Sequence, residues 1–436
     1  GHLSPNTQFD KYYSWNPSIG GGAGNWVQES ASTIMDPQKG YIVRAPNSFS
    51  FTPTVFTPYT ATFSGTPNNG DFDIPITVGT LGPATTDDKL NLIGNPYPSA
   101  IDADLLLNDP HNSTLLEGTI YFWTHNAPPS AANPNPFYGN YTYNYSPSGY
   151  ASYNATGGTT TVPSGYGTAP TGYIASGQSF FAIGIQNGQV QLTNAMRVRG
   201  HNQTFFRPGG EQLTAMPERH RIWLNFANTQ GLFSQTLVGY VADATNGIDR
   251  RFDGPTMSDG FALYSIADGK SLGIQGRSLP FDATDVVPLG YTALAAGQYT
   301  IGIDRVDGLF ENQDVFLEDK LLGTVHDLRQ SAYTFTASAG VVNDRFVLRY
   351  VQNQLSNPQF TEGQYVAFVA DGMLTVSTRE DIKAIYVYDL TGKRITMYKP
   401  DSGSRFNAPF DAAQGVYLIK IHLVGGEVLS GKVANQ

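Results

Sequence analysis

Short apolar runs set between clusters of Gly, Pro and Asn recur from the start of this chain to its end, and this pattern leaves little room for anything but strands and tight turns. Between Phe9 and Arg199 the runs fall at 40–45, 59–64, 90–93, 118–123 and 179–185. Helices need longer periodic stretches, whereas regularly spaced strands with turn signals suit a β-sandwich. Composition agrees: 25 Tyr and 25 Phe favour a pleated, half-buried surface, and 47 Gly with 27 Pro punctuate it.

The length of 436 residues allows two to four domains, each able to bury its own core. With no cysteine, disulfides, thiolate metal sites and cysteine nucleophiles are excluded. A net charge of −10 with scattered basic residues argues against a surface that tracks phosphates, and nucleic acid is set aside as a partner. No apolar run reaches the roughly 18 residues that a membrane-spanning helix needs. The opening GHLSPNTQFDKYYSW has neither Met nor leader pattern, so the chain is expected to be the tail of a longer precursor.

Three β-sandwich modules are expected, over residues 1–200, 201–355 and 356–436. In the first, AIDADLLLND predicts one short helix capped by Ser99 and ending before Pro110, and residues 127–170 read as loop. In the second, RIWLNFAN places Ile222, Leu224 and Phe226 on one face. DRFVLRYV places Phe346, Leu348 and Tyr350 inward with Arg345 and Arg349 outward, so one sheet face is buried and the other wet. DVFLEDKLLGTVHDL predicts a hairpin turning near Asp319 and Lys320. After the polar linker QNQLSNPQFTEGQ, three hairpins turn at Asp371–Gly372, Thr391–Gly392 and Gly425–Gly426. Tyr417, Ile419, Ile421 and Leu423 alternate with polar residues as in a half-buried strand, and about seven strands make a small Ig-like sandwich.

The segments IKAIYVYDLTGKRI (382–395), GVYLIKI (415–421) and GGEVLSGKV (425–433) resemble, in order and spacing, the type A C-terminal sorting domain of the type IX secretion system of Bacteroidota. SNPQFTEG only partly echoes the usual NP-x-x-G opening. Upstream, LNLIGNPYPSAID, SGQSFFAIG and GLFENQDVFLEDKLLGTVHDL are similar to text that precedes such domains in large surface and gliding-associated proteins. The resemblance implies export through the periplasm to the outer face of the outer membrane. The partners it implies are the type IX translocon and its shuttle barrel. Gly415, Tyr417, Gly431, Lys432 and Val433 are then the docking residues.

Other constellations are weaker. DATNGIDRRFD offers Asp243, Asn246, Asp249 and Asp253, oxygen ligands of the kind calcium takes, although Asp and Asn more often serve turns. Tyr138, Tyr141, Tyr143 and Tyr145 lie in a loop that offers rigid amphipathic area to a surface glycan or another surface protein, or covers itself. The histidines at 2, 111, 125, 201, 220, 326 and 422 have no metal-ligand spacing, and no nucleophile motif is present. Glu117, Glu311 and Glu318 sit in strand or turn text where an exposed role is the commoner outcome. The expected protein is therefore a non-enzymatic, adhesin-like surface protein without a cofactor other than calcium. The alternative is the accessory region of a secreted polysaccharide-degrading enzyme with its catalytic domain upstream.

Overall fold

The computed structural model describes residues 12–19, 25–30, 32–43, 65–79, 87–124, 149–163, 168–202, 218–258, 260–352, 365–370, 372–400 and 403–435. The chain is all-β, with tandem sandwich-like layers around separate cores, and it divides into two compact units, Gly1–Gln352 and Asn353–Gln436.

In the first unit a five-stranded sheet runs in the order Leu90–Gly94, Ser179–Gly184, Leu116–Trp123, Tyr150–Asn154, Gly157–Gly158. Both of its faces are buried. Ile120, Phe122 and Phe180 face a core with Ile101, Leu106 and Val190, while Tyr121 and Phe181 face Trp15 and Trp26, with Trp15 edge-on to Phe181 at 5.1 Å. The short helix is Ala103–Asn108, but its cap is Asp102, whose Oδ1 accepts from the N–H groups of Asp104 and Leu105. Ser99 instead accepts from Arg197 Nε at 3.0 Å. The carboxylate of Asp102 stands directly before the first turn and outcompetes a hydroxyl three residues earlier.

Small sheets of two or three strands (Tyr12–Trp15 with Trp26–Gln28 and Tyr41–Val43; Ala100–Asp102 with Tyr173–Ile174 and Arg197–Val198; Phe72–Ile76 with Gly188–Leu192) flank the five-stranded sheet, and residues 219–349 form one long sheet curled on itself. Its order is Thr324–Asp327, Phe316–Asp319, Gly340–Arg349, Val286–Ala293, Ala262–Ala267, Lys270–Ser278, Phe233–Val241, Arg219–Asn228, Gly297–Asp307, Tyr333–Ala337. Phe233–Val241 and Lys270–Ser278 pair in parallel. Ile222, Leu224, Phe226, Leu348, Phe346 and Tyr350 all join the enclosed core, as their period-two spacing predicts.

Two expectations about the opposite face are corrected. Trp223, on the side expected to be wet, is 2% exposed because residues 156–160 cover it, and its Nε1 donates to the Gly158 carbonyl at 2.8 Å. Arg345 is buried rather than outward, and Arg349 pairs with Glu318. Further bonds join the text before residue 200 to the curled sheet: Gly118 N to Arg250 O at 3.1 Å and Thr156 Oγ1 to Phe252 O at 2.7 Å. A Cβ on Gly118 would meet the Arg250 carbonyl at 2.3 Å, so only glycine allows this backbone approach. The hairpin of 316–327 turns over residues 320–323, slightly later than expected. Asp319 ends the first strand, its Oδ1 accepts from Leu321 N and Leu322 N, and Gly323 supplies φ 62°.

Among the described residues of the second unit seven strands form two sheets. Tyr365–Ala370, Met373–Thr378 and Arg405–Pro409 make one; Arg394–Tyr398, Ile382–Tyr388, Gly415–Leu423 and Val428–Asn435, in that spatial order, make the other. Relative to the ABED/CFG division of constant immunoglobulin domains, the fourth strand has moved to the second sheet. The three hairpins form with their glycines at positive φ: Gly372 at 70°, Gly392 at 85° and Gly426 at 94°. Asp371 lies outside the described residues. Leu374, Val376, Ile385, Val387, Tyr417, Ile419 and Ile421 fill the space between the sheets.

Candidate functional site

The last hairpin of the second unit brings the five residues that the resemblance implies for docking onto one ladder. Gly415 opens the penultimate strand, Tyr417 lies opposite Val433, Leu418 opposite Lys432, and Ile419 opposite Gly431. The alternation of a half-buried strand divides them: Tyr417, Gly431 and Val433 face the core, whereas Lys432 is exposed. Tyr417 is held on both sides, edge-on to Phe410 at 5.2 Å and with its hydroxyl donating to the Ala413 carbonyl at 2.6 Å. Val428–Asn435 is paired in its sheet on one side only; on its other side Tyr365–Ala370 of the facing sheet lies close to it without ladder pairing, so part of that edge is covered. One of its carbonyls, that of Ser430, is taken by the Tyr365 hydroxyl at 2.8 Å. Chemically, such an edge can accept a further strand, with Lys432 adding a cation.

The same hydroxyl-to-carbonyl clasp occurs in the first unit, where Tyr299 donates to the Ala295 carbonyl at 2.5 Å. Both clasps have the spacing Ala-x-Gly-x-Tyr, a repeat that was present in the sequence and not singled out. The clasp fixes the turn into the strand and matches the tyrosine corner of sandwich domains.

The acidic loop uses its oxygens within the protein. Asp249 Oδ2 accepts from Thr245 N at 2.5 Å, and Asn246 Oδ1 accepts from Ser278 N and Oγ at 3.1 Å. Asp253 accepts from Asp249 N at 2.5 Å and from Gly276 N at 2.8 Å, and burial pushes its carboxyl up to about 7 against these donors. Asp243 is exposed and held at φ 70°, a left-handed conformation that Asp tolerates. Among the described residues no group of three or more His, Asp or Glu is arranged to hold a metal ion. Tyr138, Tyr141, Tyr143 and Tyr145 lie outside the described residues.

Asp243 instead lines a cleft of about 370 Å³ with Glu218, His220, Leu279, Pro280, Phe281 and Leu309. His220 Nδ1 accepts from Leu309 N at 3.2 Å, which leaves Nε2 to face Glu218 Oε1 at 3.3 Å. Sequence reasoning missed this cleft because its walls come from four separate segments, near residues 218–220, 242–243, 279–281 and 309. It also misjudged Glu318, which is 5% exposed and paired with Arg349, and it missed the contact of Tyr153 with Asp104 at 3.1 Å. Burial first, and Asp102 second, raise the Asp104 carboxyl; burial and the nearby Arg221 lower Arg219 to about 10. Among the described residues no helix is long and apolar enough to cross a membrane.

Comparison with curated proteins finds no match. Among solved structures, the central fibronectin-III array of RIM-binding protein is similar at 11% identity, over 50% of this chain and 87% of that one, with a TM-score of 0.13. A family model described as a domain of unknown function, DUF8693, matches residues 1–350. The chain, matched over most of its length and built there from the paired sheet systems of its first unit, belongs to the DUF8693 family.

Proposed function

We propose that this chain belongs to a non-enzymatic, adhesin-like cell-surface protein exported by the type IX secretion system, with residues 353–436 as its export signal. The reading rests on the motifs at 382–395, 415–421 and 425–433. The observation that supports it best is that these motifs lie together in a compact seven-stranded unit whose last strand is a sheet edge. A signal that folds on its own survives periplasmic transit, and an edge strand offers backbone hydrogen bonds to a receptor. In this reading Lys432 and the unpaired backbone groups of the last strand contact the shuttle barrel, while Tyr417 and Val433 hold the strand in place from the core side. A non-enzymatic role fits the buried acids Asp253, Glu318 and Asp319, each engaged by backbone N–H groups or an arginine. The surface partner of residues 1–352, glycan or protein, belongs to the same proposal.

The test is to fuse residues 353–436 to an unrelated periplasmic reporter in a type IX-competent strain. The reporter is expected at the cell surface, and a fusion lacking Gly431–Gln436 is expected to stay in the periplasm. Surface delivery of the shortened fusion at the normal level, or retention of the complete one, would overturn the reading.

A further inference from the structure

In the sequence Arg394, Lys420 and Lys432 are far apart, but strand register brings them to one surface. In the four-stranded sheet Tyr388 pairs with Arg394 on one side and with Leu418 on the other, and Leu418 pairs with Lys432. These four residues form a row across all four strands. The adjoining row is Met397, Tyr386, Lys420 and Ser430, and beyond it His422 lies between Ala384 and Val428. Because Tyr417, Ile419 and Ile421 point into the core, Leu418, Lys420 and His422 point out, as do Ser430 and Lys432 beside them.

Side-chain contacts tie this surface together: Lys420 Nζ stands 6.0 Å from the Tyr388 ring centre, and Tyr386 meets His422 edge-on at 5.1 Å. None of the positions in these rows is Asp or Glu. Asp389 lies in the adjacent turn, where its Oδ1 accepts from Thr391 N at 2.9 Å and Lys393 N at 3.0 Å. Asp381 and Glu427 flank only the end of the sheet near His422. The chain's net charge of −10 comes wholly from residues 1–352, since 353–436 carry eight basic and eight acidic residues.

We propose that this outward face binds an acidic polysaccharide, a chain of sugar rings bearing carboxylates. The reading does not depend on the export function, and Arg394 and Lys420 are not among the docking residues. With strands about 4.8 Å apart, Arg394 and Lys432 are separated by about 14 Å, with Lys420 and the two tyrosines between them. The cations meet carboxylates spaced one to a ring, and Tyr386 and Tyr388 offer flat apolar area with polar tips to the rings themselves. A nucleic acid is the poorer fit, because its denser charge, one phosphate per nucleotide, demands more cations than three.

The experiment is calorimetric titration of the full chain with oligogalacturonate, with a neutral glucan oligomer of equal length, and with a polyglutamate peptide of equal charge. Oligogalacturonate is expected to bind, more weakly as salt rises, and at least tenfold more tightly than either control. Arg394→Gln with Lys420→Gln is expected to weaken it at least tenfold, and Tyr388→Ala severalfold, without change in melting temperature. No binding of oligogalacturonate at millimolar concentration, equal binding of the neutral glucan, equal or tighter binding of polyglutamate, or unaltered affinity in the double variant would each overturn the proposal. Surface delivery of the reporter carrying the double variant separates failure here from failure of the export reading.

Discussion

Arg345 and Asp319 form a buried ion pair on neighbouring strands, with Nη2 2.7 Å from Oδ2. The strand at the far end of the same sheet reaches this pair: the Tyr333 hydroxyl donates to Asp319 at 2.9 Å, and Arg345 Nη1 donates to the Thr336 carbonyl at 3.0 Å. The pair thereby joins the two ends of the curled sheet over the packed rings of Phe335 and Phe346, 4.7 Å apart. Burial alone would raise the Asp319 carboxyl, but the hydrogen bonds from Arg345 and Tyr333 hold it below the usual range.

Arg345→Ala is expected to destabilise the first unit by about 3–5 kcal/mol, because it strands a buried carboxylate. Arg345→Met combined with Asp319→Leu should cost less than the single change, since no charge is left without a partner. Urea unfolding of the chain measures both. A double variant as unstable as the single one would mean that packing, not pairing, closes the sheet.

The two tyrosine clasps give a test of independence. Tyr299→Phe and Tyr417→Phe each remove one hydroxyl bond to a carbonyl, at a cost of about 0.5–1.5 kcal/mol. Each should lower only the transition of its own unit, as followed by hydrogen exchange of strand amides. A shift of both transitions by either change would contradict the division at residue 352.

Asp253 should make stability fall as pH rises. Its folded carboxyl titrates near 7, above the ordinary value of 3.8 that it regains on unfolding. Its contribution is therefore complete below about 4 and is lost as pH climbs to about 7, where the folded state must ionise a desolvated acid. The difference in unfolding free energy between the protein and Asp253→Asn is expected to shrink over that window. A carboxyl resonance of Asp253 titrating below 4 would remove the basis for this expectation.

The loop 243–253 is expected to hold its shape without calcium, because Asn246, Asp249 and Asp253 already accept backbone N–H groups. Adding chelator or millimolar calcium should leave the unfolding midpoint of the first unit unchanged. A rise with calcium would show ligand linkage, and hence a rearranged loop that releases those oxygens.

Local chemistry was legible in the sequence. The glycines at 372, 392 and 426 mark hairpins because positive φ is costly for other residues, and alternation at 222–226 and 417–423 names the core-facing side chains because a strand has period two. The Ala-x-Gly-x-Tyr clasps were readable as well, given attention to their repetition. Period two, however, says only which residues share a face; it does not say what covers the other face. Trp223 is buried because residues 156–160 cross over it, and Arg345 because a strand from the far end of the sheet closes beside it. The row from Arg394 to Lys432 likewise depends on one long-range register, Ile382–Tyr388 against Gly415–Leu423, which sets the two legible hairpins side by side. Such neighbours are chosen by the packing of whole sheets, where burial of apolar area and satisfaction of buried polar groups are settled together, and no local signal records the outcome.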